Sequence, residues 1–355
     1  MRFFRITYVI VLLFLSCTQH SSHTMQPSKI EEQLHAISTL LRDKSFALEM
    51  AQNQEAAYYA SLGQAIPPFS EEGDDKRYIE YPVKEEKIAT SIAAFYALES
   101  ATGQLIKTKG GTPYEWLNKI TGQKLDTADI LLLNRFANAA WKAGQPFRSL
   151  DRITRDNFIA AYFLPEEEIQ KDFDQVYAAA VMLKTQMQDV GDSSLKVQLQ
   201  RIGVLLHSRS FALDMAQHLE AAYYKGIHEP APAFLKPGED TAMIRRTIKA
   251  EKIAINIAGF YALECGLNYL ATSRHMLPSD VLPSVIADSI NENDKELFER
   301  FANLTWKAGQ PFRGLDRIER PNFTAFDLLP QHEIEKDWVQ VKAAAKKLQE
   351  TLTRH

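Results

Sequence analysis

The chain has 355 residues, of which 45% are hydrophobic and 24% charged. This composition is typical of a globular protein, and the length exceeds one domain of usual size and suits two of moderate size. The formal net charge of −4 at pH 7 provides no basic footprint, which argues against general nucleic-acid binding, so no nucleic-acid partner is expected.

The N-terminus has the features of an export signal. Two arginines precede an apolar run at residues 6–16, which is too short to cross a bilayer but suits the core of a signal peptide. The run ends in Leu15-Ser16-Cys17, which resembles the lipobox of bacterial lipoproteins. We expect residues 1–17 to be a lipoprotein signal peptide with lipidation at Cys17, followed by a tether at 18–28. An ordinary secretory signal with an incidental cysteine is the alternative.

These features predict a lipid-anchored protein of the bacterial cell envelope, in the outer membrane or facing the periplasm. The chain has two cysteines, Cys17 and Cys265. Because Cys265 ends an apolar stretch and Ser100 takes its place in the repeat described next, we expect a buried and inert thiol.

An internal repeat dominates the rest of the chain. The octapeptide Trp-Lys-Ala-Gly-Gln-Pro-Phe-Arg at 141–148 recurs at 306–313, and two shorter blocks recur at the same offset of 165. We therefore predict a tandem duplication with copies at residues 28–190 and 193–355. Similarity is almost absent between Ser100 and Asn134, which predicts a variable connection. Two residues 165 positions apart are called counterparts below.

Helical periodicity indicates an all-α fold. Apolar residues recur at spacings of three and four, which places them on one face of a helix. One such series in the first copy is Ile169, Phe173, Val176, Ala180 and Leu183. We predict about four helices per copy, near 30–62, 84–106, 128–143 and 165–187.

The last two predicted helices of each copy resemble the ryanodine-receptor repeat (RyR domain). That family's pattern is a helix ending in Trp, a Gly-aromatic loop, then Leu-Pro and a helix with Glu and Lys-Asp. The matching residues of the first copy are Ala137, Trp141, Gly144, Phe147, Asp151, Leu164, Pro165, Glu168, Lys171 and Asp172. Those of the second copy are Ala302, Trp306, Gly309, Phe312, Asp316, Leu329, Pro330, Glu333, Lys336 and Asp337. The resemblance implies a helical binding or interaction module, with nucleotide-like ligands for some members, and no enzymatic activity.

A basic and aromatic block around the repeated octapeptide is the best candidate binding site. Guanidinium groups can hold phosphate or carboxylate, and an aromatic face can stack on a planar ligand. The candidate binding residues are Trp141, Lys142, Gln145, Phe147, Arg148, Arg152, Trp306, Lys307, Gln310, Phe312, Arg313 and Arg317. In the alternative, structural interpretation, Trp141 anchors the core while Arg148 and Arg152 pair with Asp151 and with the acids at 166–168.

Catalytic and metal-binding motifs do not occur in the sequence. The nine histidines form no metal-binding or catalytic pattern, so we expect no catalytic residues, metal or cofactor. The sequence thus favours a non-enzymatic protein that binds an anionic, nucleotide-like small molecule or a protein partner. An envelope enzyme using buried glutamates such as Glu55 and Glu99, or a purely structural interaction scaffold, are the alternatives.

Overall fold

The computed structural model describes residues 26–354, and most of them are helical. The predicted signal peptide, the lipidation site Cys17 and the tether up to residue 25 lie outside the described residues. For brevity, residues 28–190 are called the first segment and residues 193–355 the second segment.

The first segment contains six α-helices and one strand. In chain order they are α1 (Gln26–Leu41), α2 (Lys44–Ser61), β1 (Tyr78–Pro82), α3 (Val83–Lys109), α4 (Pro113–Thr121), α5 (Thr127–Arg148) and α6 (Glu166–Gln186). Short 3₁₀ turns at Leu150–Thr154 and Ala161–Phe163 lead from α5 to α6.

The second segment follows the same order. Its elements are α7 (Leu195–Leu206), α8 (Arg209–Gly226), β2 (Met243–Thr247), α9 (Ile248–Asn256), α10 (Ala258–Arg274), α11 (Pro278–Ile286), α12 (Glu292–Gly309) and α13 (Gln331–Leu352). From α2 onward, each element of the first segment begins 165 residues before its counterpart, and α10 continues α9 after a break at Ile257.

The predicted helical class is confirmed, with three differences in detail. The helix predicted near 30–62 is two helices, because the Asp43 carboxylate accepts hydrogen bonds from the backbone N–H groups of Ser45 and Phe46 and starts α2. The predicted variable connection contains α4, which begins with a capping box between Thr112 and Glu115. The strands β1 and β2 were not predicted at all.

The two strands form an antiparallel pair that joins the segments. Glu80 lies opposite its own counterpart Arg245, and their side chains form an ion pair of 2.8 Å. On either side of Glu80, each residue pairs with the counterpart of the residue at the other end of its strand: Tyr78 pairs with Thr247, and Pro82 pairs with Met243. The contact is therefore arranged as in a twofold-symmetric dimer, with the symmetry axis near Glu80.

The N-terminal helix pair of each segment packs against the other segment. Helix α2 lies against α13 and α9, while α8 lies against α6 and α3. The Asn53 side chain donates to the Ala343 carbonyl at 2.8 Å, and its counterpart His218 lies 3.1 Å from the carbonyl of Ala178. Both segments therefore contribute helices to each side of the molecule.

A single large hydrophobic core runs through both segments in the described part of the chain. At its centre Phe136 stacks on its counterpart Phe301, with ring centroids 4.1 Å apart. Because α2 and α8 each pack against the other segment, the two segments share this core.

The stretch Ile248–Arg274 is long and apolar enough to cross a membrane by length and composition alone. Its apolar window is 78% buried against the rest of the protein. A central core helix of a globular protein can have the same composition and the same degree of burial.

Candidate functional site

A cavity of 470 Å³ opens between α2, α9, α12 and α13. It is lined by residues at helical spacing, so that one face of each helix contributes to it. On α13, for example, the lining residues are Glu333, Lys336, Asp337 and Gln340. Because α2 comes from the first segment and the other three helices from the second, the cavity depends on the exchange of helix pairs.

A partly buried carboxyl group, that of Asp337, lines this cavity. The side-chain amide of Asn303 on α12 donates to Asp337 Oδ2 at 3.4 Å. Burial above all, together with repulsion from Glu333, raises the pKa of Asp337 to about 7 against the opposing effects of the Asn303 hydrogen bond and Lys307. Asp337 can therefore donate or accept a proton near neutral pH.

The first turn of α13 supplies a second, ionised acid. Glu333 accepts hydrogen bonds from Lys336 at 2.5 Å and from the Asn322 amide at 3.1 Å. These hydrogen bonds, that from Lys336 above all, hold the pKa of Glu333 below its usual value. Glu333 thus remains a carboxylate while the nearby Asp337 titrates.

Aromatic rings form one wall of the cavity. Trp306 is partly exposed there and packs on Phe323, with ring centroids 5.9 Å apart. Tyr58 and Tyr59 of α2 and Phe147 of α5 complete the aromatic lining. A planar ligand could stack against these faces.

Two arginines contribute positive charge to the cavity. Arg313 Nε lies 3.5 Å from Glu251, too poorly aligned for a hydrogen bond, and has no hydrogen-bond partner among the described residues. Burial, followed by repulsion from Arg317, lowers the pKa of Arg313 to about 10, so this side chain is still charged at neutral pH. Arg320 also lines the cavity and is exposed to solvent.

The predicted site lysines are not part of this cavity. Lys142 is fully buried and pairs with Glu264 at 2.5 Å, and its counterpart Lys307 pairs with Glu99 at 2.8 Å. Each pair joins the two segments inside the core. The prediction that Lys142 and Lys307 line an anion-accepting pocket is therefore wrong, because their ammonium groups are already neutralised and inaccessible.

The other predicted residues divide between the cavity and its surroundings. Trp306, Gln310, Arg313 and Phe147 line the cavity. Phe312 stacks on Phe147 with ring centroids 5.5 Å apart. Arg317, which lies outside the lining, has a pKa lowered by burial and by repulsion from Arg320.

In the first segment, the structure brings together the counterparts of the same residues. Trp141 packs on Phe158, with ring centroids 5.7 Å apart. Arg148 Nε lies 3.6 Å from Glu86, while Arg152 donates to the Gln145 side chain at 3.3 Å.

The structural alternative named the wrong partners for these arginines. Asp151 pairs instead with Lys44, and Glu168 pairs with Lys171. Arg148 and Arg152 are therefore not neutralised by the acids that the sequence placed beside them.

The sequence interpretation left several cavity residues out of its binding set. The sequence placed Asp337 in the family pattern alone and gave no binding role to Asn303, Tyr58 or Tyr59. Their common signal is the identity of polar and aromatic residues at counterpart positions of the two segments. The predicted binding set used that signal only for the octapeptide and for Arg152 and Arg317 shortly after it.

No group of three or more His, Cys, Asp or Glu side chains that could hold a metal ion occurs within residues 26–354.

Comparison with known proteins gives no assignment: no family model matches the chain, and no curated protein or solved structure matches it significantly.

Proposed function

We propose that this chain is a non-enzymatic, lipid-anchored envelope protein that binds an anionic small molecule with a planar ring, such as a nucleotide, in the cavity at Asp337. The observation that carries the proposal is that one cavity combines an aromatic wall, the guanidinium groups of Arg313 and Arg320, and a carboxyl group that titrates near neutral pH. The RyR-like pattern and the tandem duplication are part of this proposal, and the repeated order of elements supports the duplication.

Each part of the cavity suits one part of such a ligand. Trp306 and the tyrosines of α2 offer faces for stacking a base-like ring. Asp337, with Asn303 beside it, offers hydrogen-bond donors and acceptors to the edge of that ring. Arg313 and Arg320 offer charge-assisted hydrogen bonds to a phosphate or carboxylate.

The volume of the cavity fits the same class of ligand. Small-molecule sites in proteins typically occupy about 300–1,000 Å³, and 470 Å³ lies within that range. Lys252 and Lys336 add positive charge, against the carboxyls of Glu55, Glu333 and Asp337. An anion with a compact ring is therefore favoured over a cation or an extended polymer.

Isothermal titration calorimetry of the full chain in detergent tests the proposal. AMP is the first probe, and adenosine and inorganic phosphate separate the contributions of the ring and the anion. We expect AMP to bind more tightly than either fragment, and Arg313→Ala to weaken AMP binding by about tenfold or more, since hydrogen bonds to charged groups contribute about 1.5–3 kcal/mol. Equal affinity for AMP before and after Arg313→Ala would contradict the proposal.

A second candidate function is an envelope enzyme that uses a buried acid. Its supporting observation is Asp337, a carboxyl whose pKa of about 7 suits general acid–base catalysis at neutral pH. Chromatography of AMP incubated with the protein separates the two functions, because binding leaves AMP intact and hydrolysis does not.

A further inference from the structure

Most residues that line the cavity are identical to their counterparts in the other segment. Of the 24 lining residues, 20 have an identical amino acid at the counterpart position. By contrast, residues 101–134 and their counterparts share almost no identity. Identity between the segments is therefore concentrated at the cavity.

The four differences leave the charged and aromatic groups of the lining unchanged. They pair Ile255 with Thr90, Asn256 with Ser91, Gly259 with Ala94 and Thr305 with Ala140. None of these positions is charged or aromatic in either segment. Every charged, aromatic and carboxamide group of the lining except Asn256 is thus present a second time.

The structure also brings these counterparts together with the same contacts. Asn138 is a hydrogen-bond partner of Asp172, as Asn303 is of Asp337, and burial raises the pKa of Asp172 to about 7 as well. Glu168 accepts hydrogen bonds from Lys171 at 2.6 Å and from Asn157 at 3.2 Å. These contacts reproduce those of Glu333 with its lysine and asparagine partners.

Unsatisfied polar atoms mark both places. Asn138 Oδ1 and Asn303 Oδ1 are buried without a hydrogen-bond partner among the described residues, and both side chains are only 3% exposed. Glu220 Oε2 on α8 is likewise unpartnered. Because a buried polar atom without a partner costs free energy, such atoms at the same position twice indicate a group that comes from outside the chain.

We propose that the first segment holds a second binding site for the same class of ligand, around Asp172, Asn138 and Trp141, with Tyr223 and Tyr224 of α8 as its aromatic side. The inference rests on the proposed function, and it adds that one chain binds two ligand molecules. Each site is completed by a helix from the other segment, since α2 contributes to one site and α8 to the other.

The test is the stoichiometry of AMP binding to the full chain, measured by isothermal titration calorimetry. Arg320→Ala removes an exposed guanidinium from the first-described site, and Arg155→Ala makes the matched change at its counterpart. Arg245→Ala is the control, because this exposed arginine belongs to the strand pair and pairs with Glu80.

We expect two AMP molecules per wild-type chain and per Arg245→Ala chain. Each of the other single variants should weaken one of the two binding events by about tenfold or more, and the double variant should weaken both. Melting temperatures near that of the wild type would show that the exposed substitutions leave the fold intact.

One AMP per chain, lost with Arg320→Ala and unchanged with Arg155→Ala, would overturn the second site while leaving the proposed function in place. No AMP binding by the wild type would overturn the proposed function itself, and the second site with it. The two failures are therefore distinguishable.

Discussion

The ion pair between Lys142 and Glu264 allows a quantitative prediction about the join between the segments. Both side chains are 0% exposed, and the Lys142 ammonium lies 2.5 Å from Glu264 Oε2. Lys142→Met keeps the length of the side chain but leaves the carboxylate buried without its cation. Removing one partner of a buried pair costs about 3–5 kcal/mol, because the remaining charge is desolvated and uncompensated.

The counterpart pair provides an internal comparison. Glu99 keeps other donors when Lys307 is replaced, since the Phe326 backbone N–H lies 2.9 Å from Glu99 Oε1 and the Ser100 hydroxyl lies 3.3 Å from Oε2. Glu264 keeps only the weak thiol donor of Cys265, and its Oε1 has no partner among the described residues. Lys142→Met should therefore destabilise the protein more than Lys307→Met.

Urea denaturation followed by circular dichroism measures these free energies of unfolding. The double variant Lys142→Met with Glu264→Leu should recover to within about 1 kcal/mol of the wild type or exceed it, because a well-packed apolar pair can replace a buried ion pair. Lys347→Met is the control, since Lys347 pairs with Glu49 across the segments at the surface, and such a pair contributes about 1 kcal/mol or less. A cost below about 1 kcal/mol for Lys142→Met, or simple additivity in the double variant, would refute the reasoning.

Three further predictions concern other parts of the chain. Asp337→Asn should stabilise the protein at pH 8 by about 1–3 kcal/mol. Because the pKa of Asp337 is raised in the native state, native Asp337 keeps a proton between about pH 4 and 7 that the unfolded chain releases. The free energy of unfolding of the wild type therefore falls as pH rises through that window. Urea titrations across this range should show the difference shrinking towards pH 4, and a constant difference would contradict it. Asp43→Ala should cost about 1 kcal/mol in the same assay through loss of the α2 cap, whereas Asp43→Asn should retain most of it. Cys17→Ala should move the protein from the detergent phase to the aqueous phase in a Triton X-114 partition, and an unmodified, water-soluble wild type would disprove lipidation.

Most helices could be predicted from the sequence because the spacing of apolar residues along a helix identifies its buried face. Helix α6 was predicted at 165–187 and spans Glu166–Gln186, and its start follows from Pro165 and the acids behind it. Helix α4 was not predicted, because the two segments diverge there and such divergence is typical of irregular connections, although Thr112 and Glu115 carry a capping-box pattern.

Long-range partners could not be predicted in the same way. Periodicity identifies which face of α2 is buried, but it does not identify α13 as the helix that covers it. The strand pairing of Glu80 with Arg245 and the ion pair of Lys142 with Glu264 likewise join residues far apart in sequence. The acidic partners of Lys142 and Lys307 lie in the other segment, so the sequence alone gave no sign that these lysines were already paired. The prediction that they bind a ligand was wrong for this reason.

The exchange of helix pairs also determines the order in which the chain can fold. Helix α2 buries its apolar face against α13, and Asn53 bonds to a carbonyl 290 residues further along the chain. The first helices made must therefore wait, with their apolar faces uncovered, until α13 has been synthesised and is free to pack against them. Contacts between residues so far apart in sequence slow folding and prolong the exposure of apolar surface, so this protein should depend on holding chaperones more than a helical protein built from local contacts.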